Sequence, residues 1–285
     1  MARLFLALFL VLAGAAPLRA AEIKLVTWNL SWLTPRPPGD PRLPRDVAAR
    51  APADLALLRA YAARLEANVI AVQEVDGPEG AALVFDPARW TAFFPDERDV
   101  QRAGILVRRG LRAEQNPDLA ALDLVPDARF SLRRGVDVTV HAGGSRLRVL
   151  SVHLKAGCRQ EPLNGGGDCD ALSRQNAALA GWIAQRREEG AAWAIAGDFN
   201  RRFRGERDEF GGRLAAAAPF ARVTAGASNP CWGGRPFIDH VLLGGAARGW
   251  MREGSLRVLV YAERGGDWRD RLSDHCPVSV RLDLP

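Results

Sequence analysis

Lysine is almost absent from this chain of 285 residues: Lys24 and Lys155 are the only two, so nearly all of the 39 basic groups are arginine. Against 33 acidic groups they leave a net charge of +6, with no block of five like charges, which excludes a disordered basic arm as the means of gripping a polyanion. A polyanionic partner has to be held by a folded site. Long apolar runs are missing as well. The longest, Leu4 to Ala13, falls well short of the roughly 20 residues that a helical membrane span requires. No repeat period emerges, which excludes a solenoid, and no linker of disordered composition divides the chain. With 48% hydrophobic residues, the length suits one domain with a full core.

The N-terminus reads as an address. Arg3 supplies a positive end, the run Leu4 to Ala13 an apolar centre, and Ala13 to Ala21 a small-residue stretch suited to cleavage, so residues 1–20 are expected to be a signal peptide cut between residues 15 and 21. The remaining domain, 21–285, is then secreted or periplasmic, with no stable membrane association after cleavage, and is expected to be a monomer. Export makes the four cysteines, Cys158, Cys169, Cys231 and Cys276, candidates for two disulfides. Three pairings exist. Cys158 with Cys169 is favoured because the Asn164-Gly165-Gly166-Gly167 run between them looks like a loop that a staple would hold, and Cys231 with Cys276 follows. Their spacings are not the short pairs that zinc favours.

Apolar patterning gives strand candidates at Glu22 to Trp28, Asn68 to Val75, Ala103 to Val107, Val136 to Val140, Arg146 to Leu154, Ala191 to Ala196, Ile238 to Leu243, Leu256 to Tyr261 and Pro277 to Leu282. Helical spacing follows Asp54, a candidate N-cap, through Leu55, Leu58, Ala62 and Leu65, and again from Asp170 to near Gly190. His141 to Ser145 joins two strands as a hairpin would. The proline-rich stretch from Pro35 to Pro44 cannot pair in a sheet interior.

Acidic, amide and imidazole side chains fall repeatedly at strand ends: Asn29, Glu74, His153, Asp198 with Asn200, and Asp274-His275 before the last strand. Any one alone is an ordinary turn residue. Delivered together to one edge, they make a hard, oxygen-rich pocket.

The stretches Val26-Thr27-Trp28-Asn29-Leu30, Val72-Gln73-Glu74-Val75, Ser151-Val152-His153-Leu154-Lys155, Gly197-Asp198-Phe199-Asn200, Ile238-Asp239-His240 and Ser273-Asp274-His275-Cys276-Pro277-Val278 resemble, in order and approximate spacing, the endonuclease/exonuclease/phosphatase superfamily. The resemblance covers essentially the whole of 21–285. It implies an α+β fold, a four-layered α/β/β/α sandwich with two mixed β-sheets face to face, and a metal-dependent phosphoesterase. Glu74 would be the principal metal ligand, with Asn29 and Asp274 completing a shell that suits Mg2+ or Mn2+. His275 would face the scissile phosphate, its other ring nitrogen bonded to Asp239. Asp198 would orient or deprotonate the attacking water, and Asn200 and His153 would donate to phosphoryl oxygens. The family also places an arginine or tyrosine before the strand leading to the first histidine; Arg133 and Arg134 both qualify, and Arg133 fits the spacing better. His240 is expected to pack beside the site.

Substrate choice lives in loops that the shared core does not specify. Net positive charge, with Arg201, Arg202, Arg204 and Arg207 following Asn200 directly, points to flanking phosphates and hence to nucleic acid as substrate. Trp232 either stacks on a base or covers the second disulfide. The alternatives are a phosphomonoesterase or lipid phosphodiesterase of the same superfamily, or a non-catalytic binding module on the same fold.

Overall fold

The computed structural model describes residues 21–285 apart from 48, 206, 207 and 266; the expected signal peptide and Arg207 lie outside the described residues. The chain opens with β1 (Ala21–Leu33), crosses through α1 (Pro52–Arg64) to β2 (Val69–Val75), and continues through α2 (Gly77–Ala82), β3 (Trp90–Phe93), β4 (Arg102–Arg108) and β5 (Arg112–Gln115). A hairpin of β6 (Val136–Ala142) and β7 (Ser145–His153) leads through α3 (Asp168–Glu188) to β8 (Trp193–Asp198). Then come α4 (Glu209–Ala217), β9 (Phe220–Arg222), β10 (Asp239–Gly244), β11 (Arg257–Val258), α5 (Trp268–Arg271) and β12 (Val278–Leu284).

Two six-stranded mixed sheets result, ordered β11-β12-β1-β2-β4-β3 and β5-β6-β7-β8-β10-β9. In each the central pair is parallel, β1 with β2 and β7 with β8, and each pair is joined by a helix, as parallel pairing requires. One core lies between the sheets, around Ile23, Val69, Val138 and Ala194. A second packs α1 on the first sheet through Leu58, Tyr61 and Leu65, and a third packs α3 and α4 on the other through Leu172, Leu179 and Phe210. These are the four layers expected from the sequence. Among the described residues no helix is long and apolar enough to cross a membrane.

Several local expectations need correction. Asp54 is not the N-cap of α1: Pro52 opens the helix, and the Asp54 carboxylate reaches back to the Ala51 amide at 3.2 Å from inside the first turn. The stretch Leu256 to Tyr261 pairs only over Arg257–Val258, because the chain leaves the sheet edge to bury Tyr261. Between β6 and β7 the connection is tighter than expected, a two-residue turn in which Gly143 and Gly144 have φ of 59° and 84°, the left-handed pair that suits a right-twisted hairpin. Both disulfides form as expected, Cys158 with Cys169 and Cys231 with Cys276, at Cα separations of 5.0 and 6.0 Å.

Gly197 pairs with Val152 in the register of β7 and β8. A Cβ there would lie 2.0 Å from the Val152 carbonyl oxygen, so even alanine forces apart the two strands that carry His153 and Asp198. Gly197→Ala is expected to lower unfolding free energy by about 3 kcal/mol, measured by urea denaturation; an unchanged midpoint would show that the strands accommodate the methyl freely.

Candidate active site

The two parallel pairs aim the carboxyl ends of β1, β2, β7 and β8 at one edge, where ligands bind in open α/β sheets. Antiparallel β10 begins opposite the end of β8, with Asp239 paired to Asp198, and β12 begins beside the end of β1. Asn29, Glu74, His153, Asp198, Asn200, Asp239, Asp274 and His275 therefore meet. Glu74, His153, Asp198, Asn200, Asp274 and His275 line a cavity of about 440 Å³. It adjoins a larger one of about 720 Å³ that shares Glu74 and Asp274.

The strand ends are irregular where the side chains must turn outward. The β1–β2 pairing slips between Asn29 and Leu33, the β2–β4 pairing between Val72 and Val75. Ser31, Trp32, Glu74 and Asn200 all take positive φ, between 43° and 58°, a costly conformation for residues with a Cβ that concentrates at functional sites.

Asp198 is the hub. Its Oδ2 accepts from the amides of Asn29 at 3.2 Å and Asn200 at 3.3 Å, and its Oδ1 from the Asn200 N–H at 2.8 Å. His153 Nε2 and His275 Nε2 each stand 3.7 Å from the same Oδ2. Burial pushes the Asp198 carboxyl up to about 7, with His275 opposing and Asp239 adding to the rise. His275 Nδ1 donates to both oxygens of Asp239, at 2.9 and 3.0 Å, leaving Nε2 toward the cavity. Burial works against a charged imidazole there, but Asp239 and then Asp198 outweigh it and hold His275 well above the ordinary histidine value. His153 is the opposite case: burial first, then Arg133 and His275, press it well below that value, so it stays a neutral imidazole. Its Nδ1 has no hydrogen-bond partner among the described residues.

Asn29, expected as a metal ligand, has both ends of its side-chain amide engaged. Its Oδ1 accepts the Ser31 N–H at 2.9 Å, and its amide nitrogen donates to Glu74 Oε1 at 3.0 Å as well as to Asp198. Its amide nitrogen thus joins the two carboxylates. Arg201 is a clear correction: the left-handed Asn200 reverses the chain, and the Arg201 side chain runs inward to Asp208 at 3.1 Å and the Glu161 carbonyl at 2.7 Å, 2% exposed and out of reach of substrate. Of the two arginine candidates, Arg133 lines the cavity, while Arg134 turns to the Asp96 carbonyl. His240 is buried beside the site, between Thr224 Oγ1 and the Arg201 carbonyl.

Residues to which the sequence assigned no role complete the frame. Arg50, just before α1, donates to the carbonyls of Leu30, Ser31, Trp32 and Leu272, tying the end of β1 to the segment that carries Asp274. Ser273 Oγ donates to the Asn29 carbonyl and accepts the His275 N–H. Beneath the site a buried thread runs from Thr27 through Gln73 to Ser151, joining the two sheets.

Fold and site together define a phosphoesterase frame, and the comparisons agree: the model of the Endonuclease/Exonuclease/phosphatase family matches residues 26–275, and the chain belongs to that family. Among solved structures it is similar to a truncated TDP2 from Caenorhabditis elegans, at 15% identity and a TM-score of 0.62, covering 94% of this chain and 100% of that one. It is also similar to a D. rerio TDP2 complexed with a single-strand DNA product, at 15% identity and a TM-score of 0.58 over 92% of this chain and 99% of the other. The 3'-5' exonuclease NExo from Neisseria Meningitidis matches at 15% identity and a TM-score of 0.55, over 92% and 100%. No curated protein sequence matches this chain.

Members of this family are typically divalent-metal-dependent, and the donor set here fits a hard cation. Glu74 and Asp274 present carboxylates to the two adjoining cavities, and Glu74 and Asp198 crowd one Asn29 amide and one neutral His153. Carboxylates so placed repel one another until a cation screens them. Asp198, Asp239 and His275 also offer ligand atoms within 4.8 Å of one another, but both Asp239 oxygens are engaged by His275 Nδ1.

Proposed function

We propose that this protein is an exported, divalent-metal-dependent phosphodiesterase that hydrolyses nucleic acid. The observation that carries the chemistry is the convergence on one cavity of His275, held from behind by Asp239, with the carboxylates of Asp198 and Glu74. Glu74 and Asp274 would hold Mg2+ or Mn2+, which when bound supplies a Lewis acid for charge on the phosphoryl oxygens. Asp198, its carboxyl raised into the neutral range, is matched to take a proton from the attacking water at neutral pH. The water oxygen bonds to phosphorus, its proton passes to Asp198, and the ester P–O bond breaks with its electron pair on the leaving oxygen. His275 faces this event as an imidazolium, Nε2–H toward the phosphoryl group, held by Asp239. Neutral His153 and the guanidinium of Arg133 add donors to the phosphoryl oxygens.

Nucleic acid is favoured by the wall of the cavity, where Arg133, Lys155 and Arg159 gather. Arg202 extends it: its backbone N–H donates to the Arg159 carbonyl at 2.9 Å, and its guanidinium pKa is lowered by burial first and then by the neighbouring cations Arg159 and Arg235. The DNA-bound structures of similar fold support the same class of ligand. Export rests on the leader of residues 1–20, and the two disulfides agree with an oxidising compartment.

The test is incubation of residues 21–285 with supercoiled plasmid, linear duplex and single-stranded DNA, with Mg2+ or Mn2+ and with chelator. Metal-dependent nicking or degradation is expected. Intact DNA alongside hydrolysis of p-nitrophenyl phosphate or of phospholipid would transfer the activity to the monoester or lipid class. Arg159→Ala with Arg202→Ala is expected to raise KM for DNA about tenfold and to reduce the slope of log KM against log salt by about 1–2, leaving kcat on bis(p-nitrophenyl) phosphate unchanged. An unchanged salt slope would remove these arginines from the substrate path.

A further inference from the structure

The Cys231–Cys276 disulfide joins the neighbours of two residues on the cavity wall: Cys276 directly follows His275, and Cys231 directly precedes Trp232. Trp232 ends a single 3-10 turn, Pro230–Trp232, whose first turn is held by Asn229 Oδ1 accepting the Cys231 N–H at 2.9 Å. Beyond it Gly233 to Pro236 are exposed, so the bridge is what fastens this turn to the strand-leading segment. The indole of Trp232 is committed to the same segment. Its Nε1–H donates to the Asp274 carbonyl at 2.7 Å, and its ring meets the His275 imidazole at 5.3 Å between centroids, the planes inclined at 65°. The Asp274 carboxylate itself is half exposed and held by Ser31 Oγ, so its direction depends on how firmly the backbone behind it is fixed.

We propose that Trp232 is a positioning residue, with the Cys231–Cys276 bridge as its anchor: the indole clamps the Asp274 carbonyl and the flank of His275, so that carboxylate and imidazole reach the cavity in fixed register. This assigns to Trp232 a task different from stacking on a base, and it rests on the phosphoesterase reading above. A brace of this kind works on the reacting geometry rather than on substrate affinity, and loss of such outer contacts costs about 10- to 100-fold in activity or metal affinity.

Trp232→Phe keeps a ring and loses the N–H; Trp232→Leu loses both; Cys231→Ser with Cys276→Ser removes the anchor. On bis(p-nitrophenyl) phosphate, which offers no base to stack on, kcat is expected to fall about 10-fold in Trp232→Phe and about 100-fold in Trp232→Leu, with KM within about twofold and Tm nearly unchanged. The Mn2+ dissociation constant, titrated by electron paramagnetic resonance without substrate, is expected to rise about tenfold in Trp232→Leu and in the double serine variant. Unchanged kcat and unchanged Mn2+ affinity would overturn the brace, as would a KM rise on DNA at constant kcat, the signature of stacking. If the wild type hydrolyses no phosphodiester, the phosphoesterase reading fails, and the Mn2+ titration still decides the brace.

Discussion

Replacing His275 with glutamine is expected to lower kcat by about three to four orders of magnitude, the largest effect of any single change in this site. The imidazolium does two things that glutamine cannot. It carries a full positive charge, sustained by Asp239 and Asp198 against the cost of burial, and it presents Nε2–H to the cavity while Nδ1 is held. Glutamine is preferable to alanine as the probe because an amide N–H can still satisfy the Asp239 carboxylate, which is 2% exposed; a buried carboxylate stripped of its partner destabilises by several kcal/mol and confounds fold with chemistry. Steady-state kinetics and circular dichroism on the same preparation check this. Retained activity within about tenfold would mean that His275 only packs.

Asp198→Asn is expected to cost at least about 10³-fold in kcat and at the same time to stabilise the metal-free protein. Burial is the reason for both. The carboxyl is raised from its ordinary 3.8 to about 7, so the folded state prefers the neutral form. The sign follows from linkage: with the folded value above the unfolded one, stability is fully present below pH ~4 and is lost as pH rises through about 7. An amide does not titrate, so the variant escapes that loss. Its advantage should be absent near pH 4 and reach about 1–3 kcal/mol above pH 7, visible as a higher Tm at pH 8 than the wild type. A variant less stable than wild type at pH 8 would show that the ionised carboxylate, bound by Asn29 and Asn200, is a net support of the fold.

How much of this was legible in the sequence depends on the distance over which each residue acts. The residues Asn29, Glu74, His153 and Asp198 that meet at this edge were legible because β1, β2, β7 and β8 are apolar strands that end in a polar residue, and local patterning reveals such ends. The short strands β3, β5 and β9 were not: three or four residues carry no period, and only pairing to a neighbour makes them strands, while β11 was expected only as part of a longer strand, Leu256 to Tyr261. Arg50 was invisible for another reason, since it acts on backbone carbonyls of other segments of the chain; Ser273 stood inside a motif stretch, but its bond to the distant Asn29 carbonyl left no mark in the sequence. Arg201 misled because adjacency to Asn200 suggests a shared direction. The left-handed backbone at Asn200 breaks that inference and delivers the guanidinium to Asp208 instead.

In the proposed reaction Glu74 and Asp274 hold the cation, and Asp198 and His275, with Asp239 behind, handle the proton. The most direct measurement is anomalous diffraction from crystals soaked in Mn2+. A single peak within bonding distance, about 2.0–2.3 Å, of carboxylate oxygens of Glu74 and Asp274 is predicted, absent in Glu74→Gln. A peak seated instead among Asp198, Asp239 and His275, or no peak at millimolar Mn2+, would contradict it.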